Sequence, residues 1–113
     1  MQIHETRHAG AVIVAPVGRI DSTTSSALDA HLLELAKAGE YRVVIDLAGV
    51  DYISSAGLRV MLSLAKRTKE AKGKLALAAL GDSVRQVFEL AGFLPLFTVE
   101  ATGDAAAARV SAA

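Results

Sequence analysis

Ser54 and Ser55 stand side by side in the stretch Val50-Asp51-Tyr52-Ile53-Ser54-Ser55-Ala56-Gly57-Leu58. A hydroxyl in that setting can cap a helix, attack as a nucleophile, or accept a phosphoryl group. Capping is the commonest use of serine at a helix start. Attack would call for a Gly-x-Ser-x-Gly elbow with a histidine late in the chain. Here Ile53 stands where the first glycine belongs, and the three histidines, His4, His8 and His31, all precede the serines. They match neither the order of an elbow hydrolase nor the spacing of a metal site. The chain therefore reads as a non-enzyme, with no catalytic residue, metal site or cofactor. A phosphate suits the position better. The first turn of a helix leaves N–H groups unpaired and carries the positive end of the macrodipole, so the groups a serine oxygen caps also stabilise an anion.

Such a site needs a strand to deliver the serines and a helix to leave from them. The strand is Arg42 to Leu47, with Val43-Val44-Ile45 at its centre. The helix is expected from Leu58 to about Lys72, with Leu58, Met61, Leu62, Ala65 and Thr68 on one face and Arg59, Ser63, Lys66, Arg67 and Glu70 opposite. Upstream, residues 2–7 suit an edge strand and His8-Ala9-Gly10 a turn. Ala11 to Val17, β-branched at four positions, suits a strand covered on both faces. The run Ser22 to Ser26 leads into a helix from about Thr24 to Ala38, striped by Leu28, Leu32 and Leu35 and stopped by a left-handed Gly39.

Downstream, Gly73 is the stop signal for the second helix, and Lys74 to Ala79 reads as a buried strand. Ser83 and Gln86 have capping-box spacing for a short helix ended near Gly92. Leu96 to Val99 suits a last strand, and Asp104 is placed to cap an alanine-rich helix reaching about Val110. The fold class is α/β: one domain, residues 1–113, with a mixed, mostly parallel sheet of about four to five strands packed with about four helices. Those helices lie on one face or are split over both. In open sheets of this kind, ligands and partners gather where strands hand over to helices, which is where the serines fall.

A chain of 113 residues can bury a genuine core, and 52% hydrophobic with 21% charged residues excludes disorder. Net charge is zero, which removes the whole-domain attraction to nucleic acid or an anionic membrane. The lysines and arginines from Arg59 to Lys74 alternate with apolar residues at helical spacing and lack interleaved aromatics, as a solvated helix face does. There is no cysteine, hence no disulfide frame or thiolate site. No apolar run approaches the roughly 20 residues of a membrane span. Ala9 to Gly18 fails as a signal core, because Glu5, Pro16, Arg19 and Asp21 all conflict with that reading. A cytoplasmic protein is expected.

The pattern resembles the STAS domain family, in its small stand-alone form that acts as an anti-sigma factor antagonist. The resemblance rests on Gly18-Arg19-Ile20-Asp21, on Val43-Val44-Ile45-Asp46-Leu47, and above all on Asp51 to Val60. Gly92-Phe93-Leu94-Pro95-Leu96-Phe97 adds to it. It implies a partner switch in which a serine ahead of the second helix is phosphorylated. Aligned on Gly57 and Leu58, Ser55 takes the phosphoacceptor position, Ala56 the neighbouring hydroxyl position, and Ser54 the place of an aspartate. Asp21 falls on the family's acidic residue near the switch. By the resemblance, Asp21, Ser54, Ala56, Gly57 and Leu58 surround the switch and meet partners. Those partners are an anti-sigma factor that is also a serine protein kinase, and a serine phosphatase. The domain itself is a monomer or weak dimer. Two other readings are open: a partner switch on a non-sigma target, and a small-molecule-sensing module using the same loop edge.

Overall fold

The turn Ala9-Gly10 folds β1 (Gln2–His8) back onto β2 (Ala11–Ile20) as an antiparallel hairpin, with His8 opposite Ala11. Both turn residues have positive φ, +53° and +83°, the sign that a type I′ turn demands and that matches the strand twist. This computed structural model describes residues 1–112. β2 is the axis of the sheet. Beyond it lie β3 (Arg42–Asp46), β5 (Lys74–Ala78) and β6 (Thr98–Glu100), each parallel to its neighbour, in the order β1-β2-β3-β5-β6.

β4 (Val50–Ile53) is a strand where the sequence suggests only a loop. It pairs in parallel with the last part of β2, Gly18 opposite Val50 and Ile20 opposite Ile53. Only Leu47 to Gly49 separate it from β3, too few for the dozen or so residues of a true crossover between parallel strands. β4 therefore continues the line of β3 along β2. Val14 faces Ile45 and Ile20 faces Ile53, a gain of two residues: the kink between β3 and β4 absorbs one, and a bulge at Asp51, opposite Gly18–Arg19, absorbs the other. The fold class holds, with β4 as a sixth strand.

The two faces of the sheet are covered unequally. Val12, Val14, Val43, Ile45 and Leu77 point to one side, where α1 (Ser25–Lys37), α2 (Ser55–Glu70) and α3 (Asp82–Leu90) close over them with Leu28, Leu32, Met61, Leu64, Val84 and Phe88. The alternate residues Ala11, Ile13, Val44, Ala76 and Ala78 face α4 (Gly103–Ser111) through Ala106, Ala107 and Val110. Small side chains on both surfaces let that single helix sit close. Among the described residues, no helix is long and apolar enough to cross a membrane.

Several local signals are realised differently from their sequence reading. Helix α2 starts at Ser55 rather than Leu58, and it buries Leu64 while Leu62 stays exposed. Gly73 is not the helix stop. Lys72 takes the left-handed turn at φ +59°, and Gly73 lies so close to Tyr41 that a Cβ would stand 2.3 Å from its carbonyl oxygen. The Ser83–Gln86 capping box does not form: Gly81 is the N-cap of α3, with no side-chain hydrogen bond. Thr102, not Asp104, caps α4 by accepting from the Ala105 N–H at 3.1 Å. Pro95 opens a single 3₁₀ turn, Leu94–Leu96, which delays the last strand to Thr98.

Candidate functional site

β2 and β4 run parallel, and beyond the bulge they pair Arg19 with Tyr52 and Ile20 with Ile53, so their ends deliver two segments to one edge of the sheet. Asp21 follows Ile20 just as Ser54 follows Ile53, its pairing partner. The Ser54 N–H donates to the Ile20 carbonyl at 2.8 Å, which holds the handover from strand to helix in place. Ser54 is the N-cap: its backbone is extended and its hydroxyl oxygen accepts from the Gly57 N–H at 3.3 Å. Ser55 is thus the first residue of α2, and it is exposed. No acidic residue occupies the first turn of the helix, so the positive end of its macrodipole is left without a side-chain counter-charge.

Gly57 is where α2 touches the strands. A Cβ there would stand 2.7 Å from Ile20 Cγ2, 2.7 Å from Ile53 Cγ1 and 3.2 Å from the Ile20 carbonyl oxygen. Both isoleucines are fully buried and β-branched, so neither can swing aside. Overpacking of this kind costs about 1–3 kcal/mol, of which better helix propensity returns up to ~1 kcal/mol. Gly57→Ala should therefore lose about 1–2 kcal/mol in urea unfolding. An unchanged or raised midpoint would show that α2 can back away from β2.

Gly57 and Leu58 are buried, so of the residues expected to meet partners these two serve packing. Ser55 is open to solvent, while Asp21, Ser54 and Ala56 are partly so.

Asp21 organises the turn into α1. Its Oδ1 accepts from the Thr23 hydroxyl at 2.7 Å, the Thr23 N–H at 3.0 Å and the Thr24 N–H at 3.1 Å. Thr24 Oγ1 in turn accepts from the Asp21 N–H at 2.9 Å and donates to the Arg19 carbonyl at 2.7 Å. The carboxylate makes no hydrogen bond to either serine among the described residues; the strand register alone brings it to their edge. The Thr23 hydroxyl, then the Thr23 and Thr24 N–H groups, hold its pKa down at about 2, from an ordinary 3.8.

A depressed carboxylate pKa means the folded state binds the proton less readily than the unfolded chain. The stabilisation is therefore complete above about pH 4 and lost as the pH falls through about 2. Thr23→Ala should move the Asp21 titration upward, toward the ordinary carboxylate range. The side-chain carboxyl carbon shift, followed by NMR from pH 5 to 2, measures this. A titration unchanged by the substitution would show that the Thr23 hydroxyl does not set it.

Two further residues belong to this edge and have no local signal in the sequence. Arg19 lays its guanidinium over the Tyr52 ring, 4.1 Å from the centroid, and brings Nε to 3.7 Å from Asp21 Oδ2. They lie far apart in the chain, and only the Arg19–Tyr52 register of β2 and β4 unites them. The result is an exposed surface holding a cation, an aromatic ring, a carboxylate and a free hydroxyl.

The STAS domain profile matches residues 2–106. The chain belongs to the STAS domain family. A Bordetella bronchiseptica protein called BtrV, described as a candidate anti-sigma factor antagonist, is 46% identical over 99 residues, covering 88% of this chain and 85% of BtrV. A Thermotoga maritima structure, also described as a candidate anti-sigma factor antagonist, superposes with a TM-score of 0.91 at 18% identity, over 97% of this chain and 95% of that one. Bacillus SpoIIAA in its phosphorylated form superposes with a TM-score of 0.75 at 18% identity, over 96% of this chain and 99% of that one. Likeness at 18% identity speaks to the STAS fold, not to the chemistry of the edge.

Proposed function

We propose that this STAS domain is an anti-sigma factor antagonist that works in the cytoplasm as a partner switch controlled by phosphorylation of Ser55. With Ser55 unmodified, the edge formed by Asp21, Ser54, Ser55 and Ala56 docks an anti-sigma factor that is also a serine kinase. That partner phosphorylates Ser55 and is released, and a serine phosphatase restores the hydroxyl. The domain contributes no catalytic group; both phosphoryl transfers belong to its partners.

The observation that supports this reading most is the position of Ser55, exposed as the first residue of a helix with no acidic residue in its first turn. Added phosphate carries roughly −1.5 to −2 charges, which the helix N-terminus tolerates. The naming of BtrV and the existence of a phosphorylated form of SpoIIAA agree with it. Incubation with the cognate kinase and ATP should add a single phosphate to the wild-type chain and none to Ser55→Ala, as read by intact mass and peptide mapping. A phosphate mapped to Ser54 or elsewhere would defeat the assignment.

A further inference from the structure

A cleft of about 570 Å³ opens between α2, β5 and the turn that precedes β6. It lies at the end of α2 away from the switch: Lys69 is some 21 Å along the helix from Ser55, at 1.5 Å per residue. Leu62, Leu75, Leu96 and Phe97 supply its apolar lining, and Lys66 and Lys69 stand at its helical wall. Leu62 is 39% and Leu96 58% exposed, so the cleft holds apolar surface in contact with water. The polar lining is one-sided. Thr68 donates its hydroxyl proton to the Leu64 carbonyl at 2.8 Å. The remaining polar side-chain groups are two ammonium ions, one helical turn apart, and neither is ion-paired among the described residues. Like charges at that spacing repel, so an anion placed between them is favoured.

We propose that this cleft binds a free medium-chain fatty acid, with its chain along Leu62, Leu75, Leu96 and Phe97 and its carboxylate between Lys66 and Lys69. Cationic groups with no competing carboxylate select an acid over an alcohol. The volume is that of a small-molecule pocket, which commonly runs about 300–1,000 Å³. No residue of the switch edge lines the cleft, so the proposal is independent of Ser55 phosphorylation.

Decanoate titrated into the isotope-labelled full chain tests it. Saturable amide shifts are expected at Leu62, Leu75, Leu96 and Phe97, with a dissociation constant below about 1 mM. Decanol should bind at least about tenfold more weakly, and K66E/K69E should weaken decanoate by at least about tenfold. Ser55→Ala should bind decanoate as the wild type does. Leu96→Glu, an exposed change that sets a carboxylate at the cleft, should produce the same loss as the lysine double variant and guards against misfolding of that variant. Shifts that fail to saturate or that scatter over the surface would overturn the proposal. So would equal binding of decanol, or undiminished binding by the variants. An acidic amphipathic peptide that shifts these residues where decanoate does not would assign the cleft to a protein partner and overturn it as well.

Discussion

Phosphorylation of Ser55 should weaken the kinase-type partner by roughly a hundredfold, equivalent to about 3 kcal/mol, and Ser55→Asp by at least about tenfold relative to Ser55→Ala. The aspartate falls short of the phosphate because it brings one charge in place of nearly two and a shorter reach. Within the domain, the helix start favours either group: Ser55 is exposed at the start of α2, whose first turn lacks an acidic residue, and an anion there is stabilising by about 0.3–1 kcal/mol, set against the ionised Asp21 on the same edge. The loss must therefore arise at the interface, where a partner covering the edge either desolvates the charge or is repelled by it. Titration calorimetry on the two variants measures the difference, and thermal melts should show both folded to the same degree. Equal affinity of the aspartate and alanine variants for every partner would sink the switch while leaving the fold untouched.

Phe88→Ala should cost about 3–5 kcal/mol of stability, the usual range for emptying a buried aromatic site. Phe88 is wholly buried on α3, and its ring meets Phe97 edge-to-face with centroids 5.8 Å apart at 82°. It ties the segment after the 3₁₀ turn to the main core. For a chain of this size each kcal/mol is worth about 4 °C, so the melting midpoint should fall by about 12–20 °C. Small domains hold only about 5–15 kcal/mol in total, so with a wild type near the lower bound the variant should be partly unfolded at 37 °C by circular dichroism. A fall of less than about 5 °C would show that α3 contributes little to cooperative stability.

What could be read from the sequence was mostly what depends on near neighbours in the chain. The stripe Leu28, Leu32 and Leu35 follows from helical period, and all three are buried. Gly39 and Gly92 take the left-handed conformation that their places after helices suggest. Ser55 lies where a strand hands over to a helix, as the sequence suggests, but the strand is β4 rather than Arg42 to Leu47 and the helix begins at Ser55 itself. Features set by distant contacts could not be read this way. β4 is a strand because it lies against Gly18 to Ile20, and nothing in Asp51-Tyr52, both exposed, announces that. Leu62 and Leu64 are equally apolar, and the angle at which α2 meets the sheet decides which is buried. Gly73 looks like a helix stop because of its place after a helix, yet its requirement comes from Tyr41, a neighbour across the sheet. The Arg19–Tyr52 stack has the same origin. Asp104 and Ser83 were plausible caps whose roles Thr102 and Gly81 fill, since competing candidates one or two residues away differ by little in energy.

Helix α2 is closely seated at both extremities, with no space for even one methyl group: Gly57 against the Ile20 and Ile53 side chains at the head, and Gly73 just past its tail against the Tyr41 backbone. Contacts that close should resist sliding or tilting of the helix. If Ser55 is the switch, its two settings should share one shape and differ in surface potential alone, and the listener must be the molecule that reads the charge. Information would then leave this domain by what it refuses to touch, and no conformational relay through its core would be needed.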